Sequence, residues 1–380
     1  MRVLLTGGGS AGHINPALAI AETIKRNAPG AVIEFVGVKG GKEEDLVPRE
    51  GYPLHFVESA GISRSLSLKN LKALYLALTS PFSKKTQAIL DEFKPDIVIG
   101  TGGYASWPIL VAAAKRKIPT AVHESNAIPG LTVKMLGRYV DEIWVNFPAT
   151  TEALSKAKKS RVLRVGNPLR GAFGTLNRKE ARQKFALSNQ RKFLLSFGGS
   201  LGAENLNDAV LYLMKDYTAK HPEVLHVHAC GKRDFEVCKK RFSELGLEAY
   251  DNCILLDYLY DMPARMAAAD LVISRAGAMT LSELSLLQKA AILVPSPYVA
   301  DNHQFKNADL LAQAGAAALV QEADLPSGKL TKKVEALLSD PEGRAKMEEA
   351  VASFADPNAN QKIWERVVAL TTRRKANEKN

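Results

Sequence analysis

Ala269-Asp270-Leu271-Val272-Ile273-Ser274-Arg275-Ala276-Gly277-Ala278-Met279-Thr280-Leu281-Ser282-Glu283 is the stretch whose reading decides the fold. Leu271–Ser274 reads as a buried strand, Gly277 as a turn, and the remainder as a helix beginning near Met279. A strand led through a glycine turn into a helix start makes an anion site. The first helical N–H groups lack intrahelical partners, and the helix dipole is positive there. Thr280 and Ser282 can cap or donate, and Arg275 can face a phosphate. Glu283, one turn in, suits a ribose diol better than a phosphate. Two readings follow from the stretch alone: a nucleotide-diphosphate pocket, or an ordinary capped helix.

Working outward, the same β-then-α pattern fills the chain. Val3–Thr6 leads into Gly7-Gly8-Gly9-Ser10-Ala11-Gly12-His13 and a helix expected over 16–26. Further strands are expected at Ala31–Val36, Asp96–Gly100, Thr120–Val122 and Glu142–Val145. Residues 164–175 break the pattern with Gly and Pro, so a domain boundary is placed there, giving domains at 1–163 and 164–357. The pattern then restarts at Phe193–Phe197, followed by Gly198–Ala203, and continues through Leu225–Ala229, Cys253–Leu256, Leu271–Ser274 and Ala291–Val294. A closing helix within 358–380 is expected to pack back on the first domain. The fold class is α/β, with two doubly wound parallel-sheet domains whose ligand edges are expected to face each other across a cleft.

Composition narrows the function classes. The 380 residues are 46% hydrophobic and 24% charged, as in a globular enzyme. The N-terminal apolar run is too short for a signal peptide, and no run has the length to span a bilayer. Cys230, Cys238 and Cys253 are odd in number and lack zinc spacing, which suits a reducing compartment. His226 and His228 are expected to alternate on a buried strand rather than bind a metal. The formal charge of +11 is uneven: 22 Lys+Arg against 14 Asp+Glu in residues 1–165, and 29 against 26 in the rest. The first half is therefore expected to meet something anionic. With no zinc-finger, RNP or basic-helix pattern, a lipid surface or acidic substrate ranks above nucleic acid.

Gly7-x-Gly9-x-x-Gly12 matches the dinucleotide fingerprint, but the acid that such a site wants at the end of its second strand is missing. Phe35-Val36 runs into Gly37-Val38-Lys39-Gly40-Gly41, and the next acid is Glu43. The NAD reading therefore loses. His13, directly after the glycines, can take a proton from a hydroxyl near neutral pH, or it can cap and pack.

Seven motifs occur in one order along essentially the whole chain. They are Gly8–His13, Gly102-Gly103-Tyr104, His123-Glu124-Ser125-Asn126, Gly166–Arg170, Gly198–Ala203, Arg275–Glu283 and Asp301-Asn302-His303-Gln304. Together they resemble the bacterial peptidoglycan N-acetylglucosaminyltransferases that convert lipid I to lipid II. The resemblance implies the GT-B fold, two Rossmann-like domains around a cleft. It also implies inverting transfer from UDP-N-acetylglucosamine to an undecaprenyl-linked muramoyl-pentapeptide, peripherally at the cytoplasmic face of the plasma membrane. On matched positions it implies donor contacts from Ser10, Ala11, Gly12, Asn126, Arg170, Ser200, Leu259, Arg275, Ala278, Met279, Thr280, Leu281, Ser282, Glu283 and Gln304. Gly103 and Tyr104 fall on the acceptor side, His13 is the candidate base, and Glu124 is next in line.

The chemistry needs a base for the attacking hydroxyl and a stabiliser for the charge building on the departing β-phosphate. No Asp-x-Asp occurs anywhere, so no metal site and no cofactor are expected. Helix N–H groups, the loop at Ser200 and Arg170 or Arg275 are expected to act instead. Rival readings are a diacylglycerol glycosyltransferase, a UDP-GlcNAc 2-epimerase, and a non-catalytic nucleotide-binding module that docks on membranes. Leu66–Phe82, apolar on more than one face and with Lys69, Lys72, Lys84 and Lys85 at its ends, is either a membrane-facing helix or a helix packed on the first sheet.

Overall fold

The computed structural model describes residues 1–61, 68–158, 161–199 and 202–377. Short runs such as Val3-Leu4-Leu5 and Ile97-Val98-Ile99 are buried on both faces, which is the signature of strands inside a parallel sheet. The first sheet is built from β1 (Arg2–Thr6), β2 (Val32–Gly37), β3 (Leu54–Phe56), β4 (Ile97–Gly100), β5 (Thr120–Glu124), β6 (Glu142–Val145) and β7 (Val162–Arg164). The second is built from β8 (Lys192–Phe197), β9 (Val224–Ala229), β10 (Cys253–Leu256), β11 (Leu271–Ser274), β12 (Ala291–Leu293) and β13 (Ala318–Leu319). The orders are β3-β2-β1-β4-β5-β6-β7 and β10-β9-β8-β11-β12-β13, with every pairing parallel. Counted from its own first strand, each sheet begins 3-2-1-4-5-6, the Rossmann order.

That order reverses between β1 and β4, and again between β8 and β11, so each sheet has a switch point where two loops leave side by side. Thr6 stands opposite Gly100, and Phe197 opposite Ser274. Gly7 and Thr101 therefore leave the first sheet together, as do Gly198 and Arg275 in the second.

Alternate residues of the strands feed opposite faces. In the first sheet Leu4 and Val98 join a core with Ile109, Leu110 and Phe93 from helices Ser106–Lys115 and Lys84–Phe93. Val3, Leu5, Ile97 and Ile99 join another with Ile14 and Ile20 of helix Ala11–Asn27 and with Ile363, Val367 and Leu370 of helix Ala359–Asn377. The C-terminal helix is further tied by Arg366, whose guanidinium is forked onto buried Glu142. In the second sheet Leu194, Leu271 and Ile273 pack against Leu206, Val210 and Leu213 and against Leu330 and Val334.

The chain divides into two compact units, Met1–Gly171 with the segment from Asp356 onward, and Ala172–Ala355. The break at 171/172 lies beyond the expected 163/164. The reason is local: Leu169 exchanges two hydrogen bonds with Asn360, at 3.1 and 2.7 Å, and Gly166 at φ +82° packs against Asp356 and Ala359. The first helix also starts earlier than expected, at Ala11 rather than near Pro16. Pro16 costs it one N–H and does not stop it. His13 consequently sits in the first helical turn.

His226 and His228 lie on β9, fully buried. Ser196 Oγ meets His226 Nε2 at 2.8 Å and His228 Nδ1 at 2.9 Å, and Thr218 Oγ1 meets His226 Nδ1 at 3.2 Å. His123, on β5, is buried against the Gly166 carbonyl. Burial holds His123 and His228 down to about 4 and His226 well below its usual value. Neutral in the folded chain and protonated in the unfolded chain below about 6.5, each histidine makes unfolding take up a proton. Stability present above pH 6.5 is therefore lost as the pH falls toward 4, by up to about 1.4 kcal/mol per pH unit per histidine. Denaturant titrations at pH 7, 6 and 5 should show this slope, steeper for the second unit, which holds two of the three. Flat stability over that range would contradict the assignment.

Candidate functional site

At the first switch point, loop Gly7–Ser10 runs into the helix start, with Ser10 in extended conformation and no side-chain cap. His13 Nδ1 lies 2.9 Å from the Thr101 carbonyl oxygen, and the Thr101 hydroxyl donates back to the His13 carbonyl at 2.5 Å. A carbonyl can only accept, so Nδ1 carries the hydrogen and the neutral ring has its lone pair at Nε2. Gly102 and Gly103, at φ +92° and +76°, lie against that ring. A Cβ on Gly102 would stand 2.9 Å from His13 Nδ1, and one on Gly103 would overlap the Gly8 carbonyl. Tyr104 packs on Gly9 and Gly61, and its carbonyl accepts from Ser59 Oγ at 2.7 Å. Burial and the nearby Glu43 charge raise its phenol.

The loop after β5 is held by Glu124. Its Oε1 accepts from the Asn126 backbone N–H and from Asn126 Nδ2, both at 3.0 Å, and its Oε2 accepts from Gly130 N–H at 2.8 Å. Glu124, expected to be next in line for the base, is buried and holds its loop with both oxygens. Arg170 is similarly engaged. Its guanidinium forks onto Glu50 at 2.8 Å twice and lies 3.7 Å from Glu22. Glu22 is eleven residues along the helix that Ala11 opens, about 16 Å from its start. The structure thus brings Ser10, Gly12, His13, Gly103 and Tyr104 together, and holds Arg170 with the far end of that helix.

At the second switch point helix Ala278–Leu286 starts one residue before the expected Met279, after an extended Gly277 that has no side chain to cap it. Ser282 does not cap: its hydroxyl turns back to the Ala278 carbonyl at 3.1 Å. Arg275 does not point free toward an anion either. It is paired with buried Glu322 and donates to the Val294 carbonyl at 3.1 Å, while Glu322 Oε1 accepts from Asn205 at 2.8 Å. That network ties the loop after β11 to the start of helix Glu204–Asp216. Gly199 and Gly202 take φ of +95° and +82°, and Ser200, expected near a phosphate, lies outside the described residues. Leu259 is buried, while the rings of its exposed sequence neighbours Tyr258 and Tyr260 meet edge-on at 5.0 Å. Asp301 and Asn302, both at positive φ, lead into helix His303–Gln313, and Gln304 Oε1 accepts from Ser296 N–H at 2.9 Å. Strain of that kind at two successive residues marks loops whose shape is imposed by their surroundings.

Glu283 is half-buried in the first turns of its helix, and burial pushes its carboxyl up to about 8. The sequence reading missed two acids here, Glu43 and Glu322. Glu43 carried a signal, an acid opening a helix amid Gly37, Gly40 and Gly41; Glu322 carried none.

Two parallel sheets in Rossmann order, each with a glycine loop and a helix start at its switch point, define the GT-B class. The chain belongs to glycosyltransferase family 28: the family's N-terminal domain matches residues 3–145 and its C-terminal domain residues 193–363. It is 41% identical over 371 residues to the UDP-N-acetylglucosamine–N-acetylmuramyl-(pentapeptide) pyrophosphoryl-undecaprenol N-acetylglucosamine transferase of Caldanaerobacter subterraneus subsp. tengcongensis, covering 98% of this chain and 100% of the relative. The protein of the same name from Halalkalibacterium halodurans is 37% identical, with 96% and 98% covered. Among solved structures, MurG of Acinetobacter baumannii superposes with a TM-score of 0.73 at 26% identity, over 98% of this chain and 99% of the other. The UDP-GlcNAc 2-epimerase of Neisseria meningitidis, at 18% identity and TM-score 0.63, covering 97% of this chain and all of that one, shares the fold.

A carboxyl raised to about 8 stays protonated in the folded chain between pH 4.5 and 8, where the unfolded chain ionises it. Stability is therefore lost as the pH rises through that window. Solvent still reaches part of the residue, which moderates the cost. Glu283→Gln should raise the melting temperature, at about 2–4 °C per kcal/mol in a unit of this size. The gain should widen from pH 5 to pH 8; an equal or lower melting temperature at pH 8 would contradict it.

Proposed function

We propose that this chain transfers N-acetylglucosamine from UDP-N-acetylglucosamine to the muramoyl 4-hydroxyl of undecaprenyl-diphospho-muramoylpentapeptide, lipid I, with inversion, giving lipid II. The observation that carries this reading is the match over 98% of the chain to a relative named for that transfer. His13 takes the acceptor proton at Nε2, the nitrogen that its bond to Thr101 leaves with the lone pair. The acceptor oxygen bonds to the anomeric carbon as the bond to the β-phosphate breaks. The start of helix Ala278–Leu286 and the glycine loop containing Ser200 receive the charge that develops on UDP. Glu283 accepts from the ribose hydroxyls, Leu259 lies at the uracil, and Gln304 and Asn126 at the sugar. Gly103 and Tyr104 line the acceptor side.

Radiolabelled transfer from UDP-GlcNAc to a lipid I analogue, run beside diacylglycerol as acceptor, tests the reaction; label entering only diacylglycerol, or none at all, would overturn it. In the same assay His13→Ala should lower turnover about 100- to 10,000-fold with UDP affinity nearly unchanged. Turnover close to the parent's would move the base elsewhere.

A lipid-linked acceptor brings the enzyme to the bilayer, and helix Leu68–Thr79 with the turn Ser80–Phe82 supplies the surface. Ala73 and Pro81 are buried, and Trp107 Nε1 donates to the Ala77 carbonyl at 2.7 Å, so one face packs on the unit. The other face exposes Leu74, Tyr75, Leu78 and Phe82 by 50, 65, 66 and 62%, followed by exposed Lys84 and Lys85. An exposed apolar face beside a packed one supports the membrane-facing reading of this stretch, of which residues 66 and 67 lie outside the described residues. Among the described residues no helix is long and apolar enough to cross a membrane. Apolar side chains entering the headgroup boundary, with each basic residue adding about 1 kcal/mol, hold the chain peripherally at the cytoplasmic face of an anionic plasma membrane. Binding to anionic vesicles should weaken with salt, and joint replacement of Leu74, Tyr75, Leu78 and Phe82 by Ser should abolish it while UDP binding persists. Leu76, half-buried, is left in place. Vesicle binding by the quadruple variant would put the membrane surface elsewhere.

A further inference from the structure

The acid sought at the end of the second strand exists, displaced onto the next helix and turned toward the glycine loop. Glu43 opens helix Glu43–Arg49 and is wholly buried. Its Oε2 accepts from Gly9 N–H and its Oε1 from Val38 N–H, each at 3.0 Å. Glycines from three segments enclose it. A Cβ on Gly8 or Gly37 would overlap its side chain, and one on Gly41 would stand 2.5 Å from both oxygens. Burying a carboxylate is costly unless its oxygens are hydrogen-bonded, and packing alone would be served better by an apolar side chain. Gly9 sits between two groups: its N–H is spent on Glu43, while a Cβ on it would lie 2.9 Å from Tyr104 Cε1. At φ +82° it adopts a shape that only glycine takes readily. The middle glycine of the fingerprint, Gly9, thus serves an internal carboxylate and leaves one N–H fewer for a bound phosphate.

We infer that Glu43 is a positioning residue for the transfer proposed above, its carboxylate setting the shape of loop Gly7–Ser10 and the negative field in which His13 and Tyr104 work. It touches no substrate, and it belongs to the first unit, whereas the helix assigned to UDP belongs to the second.

Glu43→Gln removes the charge and sets an amide N–H against a backbone N–H. Turnover should fall about 10- to 100-fold, as expected for a small misplacement of reacting groups. The KM for UDP-GlcNAc and the calorimetric affinity for UDP should stay within about twofold. Because a negative charge favours the imidazolium, its loss should also move the acid limb of the kcat/KM profile to lower pH, which a merely structural role would not do. Glu43→Asp, which keeps the charge, should keep the parent's limb. Gly8→Ala pushes on the carboxylate without discharging it, and should lower turnover with no shift of the limb; it also serves if Glu43→Gln does not fold. Turnover of folded Glu43→Gln or Gly8→Ala within about threefold of the parent would overturn the inference. So would an unshifted acid limb in Glu43→Gln, or a matching loss of UDP binding. Failure of the parent chain to transfer sugar at all would instead overturn the proposed function.

Discussion

The first unit depends on two reciprocal hydrogen bonds between Thr101 and His13 across its switch point. Thr101 also continues the sheet, donating its N–H to the Thr6 carbonyl at 2.8 Å. One residue therefore joins the end of β1, the end of β4 and the first turn of the helix between the two strands. The clamp sets the imidazole tautomer and holds the ring against the Gly102-Gly103 backbone. It leaves no room for a side chain at Gly7, where a Cβ would overlap the Thr101 hydroxyl. A hydroxyl, an imidazole and two close-packed glycines are what the geometry requires, and substitutions there disturb register and chemistry together.

The second unit solves the same topological problem with charge. Arg275, Glu322 and Asn205 join the loop after β11 to the helix after β8. Glu283 stands in helix Ala278–Leu286 with a carboxyl that its surroundings prefer protonated. That carboxyl costs the unit stability as the pH rises toward 8.

A net charge of +11 conceals the part that acids play inside. Glu43 and Glu124 accept backbone N–H bonds at the ligand edge of the first sheet. Glu142 holds the C-terminal helix through Arg366, and Asp270 takes Phe193 N–H, Arg178 and Arg182 at the base of β11. Buried carboxylates of this kind stabilise only when their oxygens find donors, which loop N–H groups supply to Glu43 and Glu124 and helix arginines to Glu142 and Asp270. The basic excess is left to the surface.

By itself the sequence determined the alternation of strands and helices, the doubling of the Rossmann pattern and the glycine loops, because apolar runs and glycine turns are local signals. It placed His13, Gly103, Tyr104 and the helix at Ala278–Glu283 on the right edges. The acid absent after Val36 weighed against a dinucleotide site, and the seven ordered motifs carried the resemblance to a nucleotide-sugar transferase. Partners contributed by distant segments were decided only by tertiary structure. The sequence does not show that Glu322 meets Arg275, that Glu50 meets Arg170, or that Asn126 and Gly130 donate to both oxygens of Glu124. A side chain's charge is written in the chain; whether that charge is already neutralised depends on distant residues, 120 positions away for Arg170 and Glu50 and 224 for Arg366 and Glu142, that only the fold brings near.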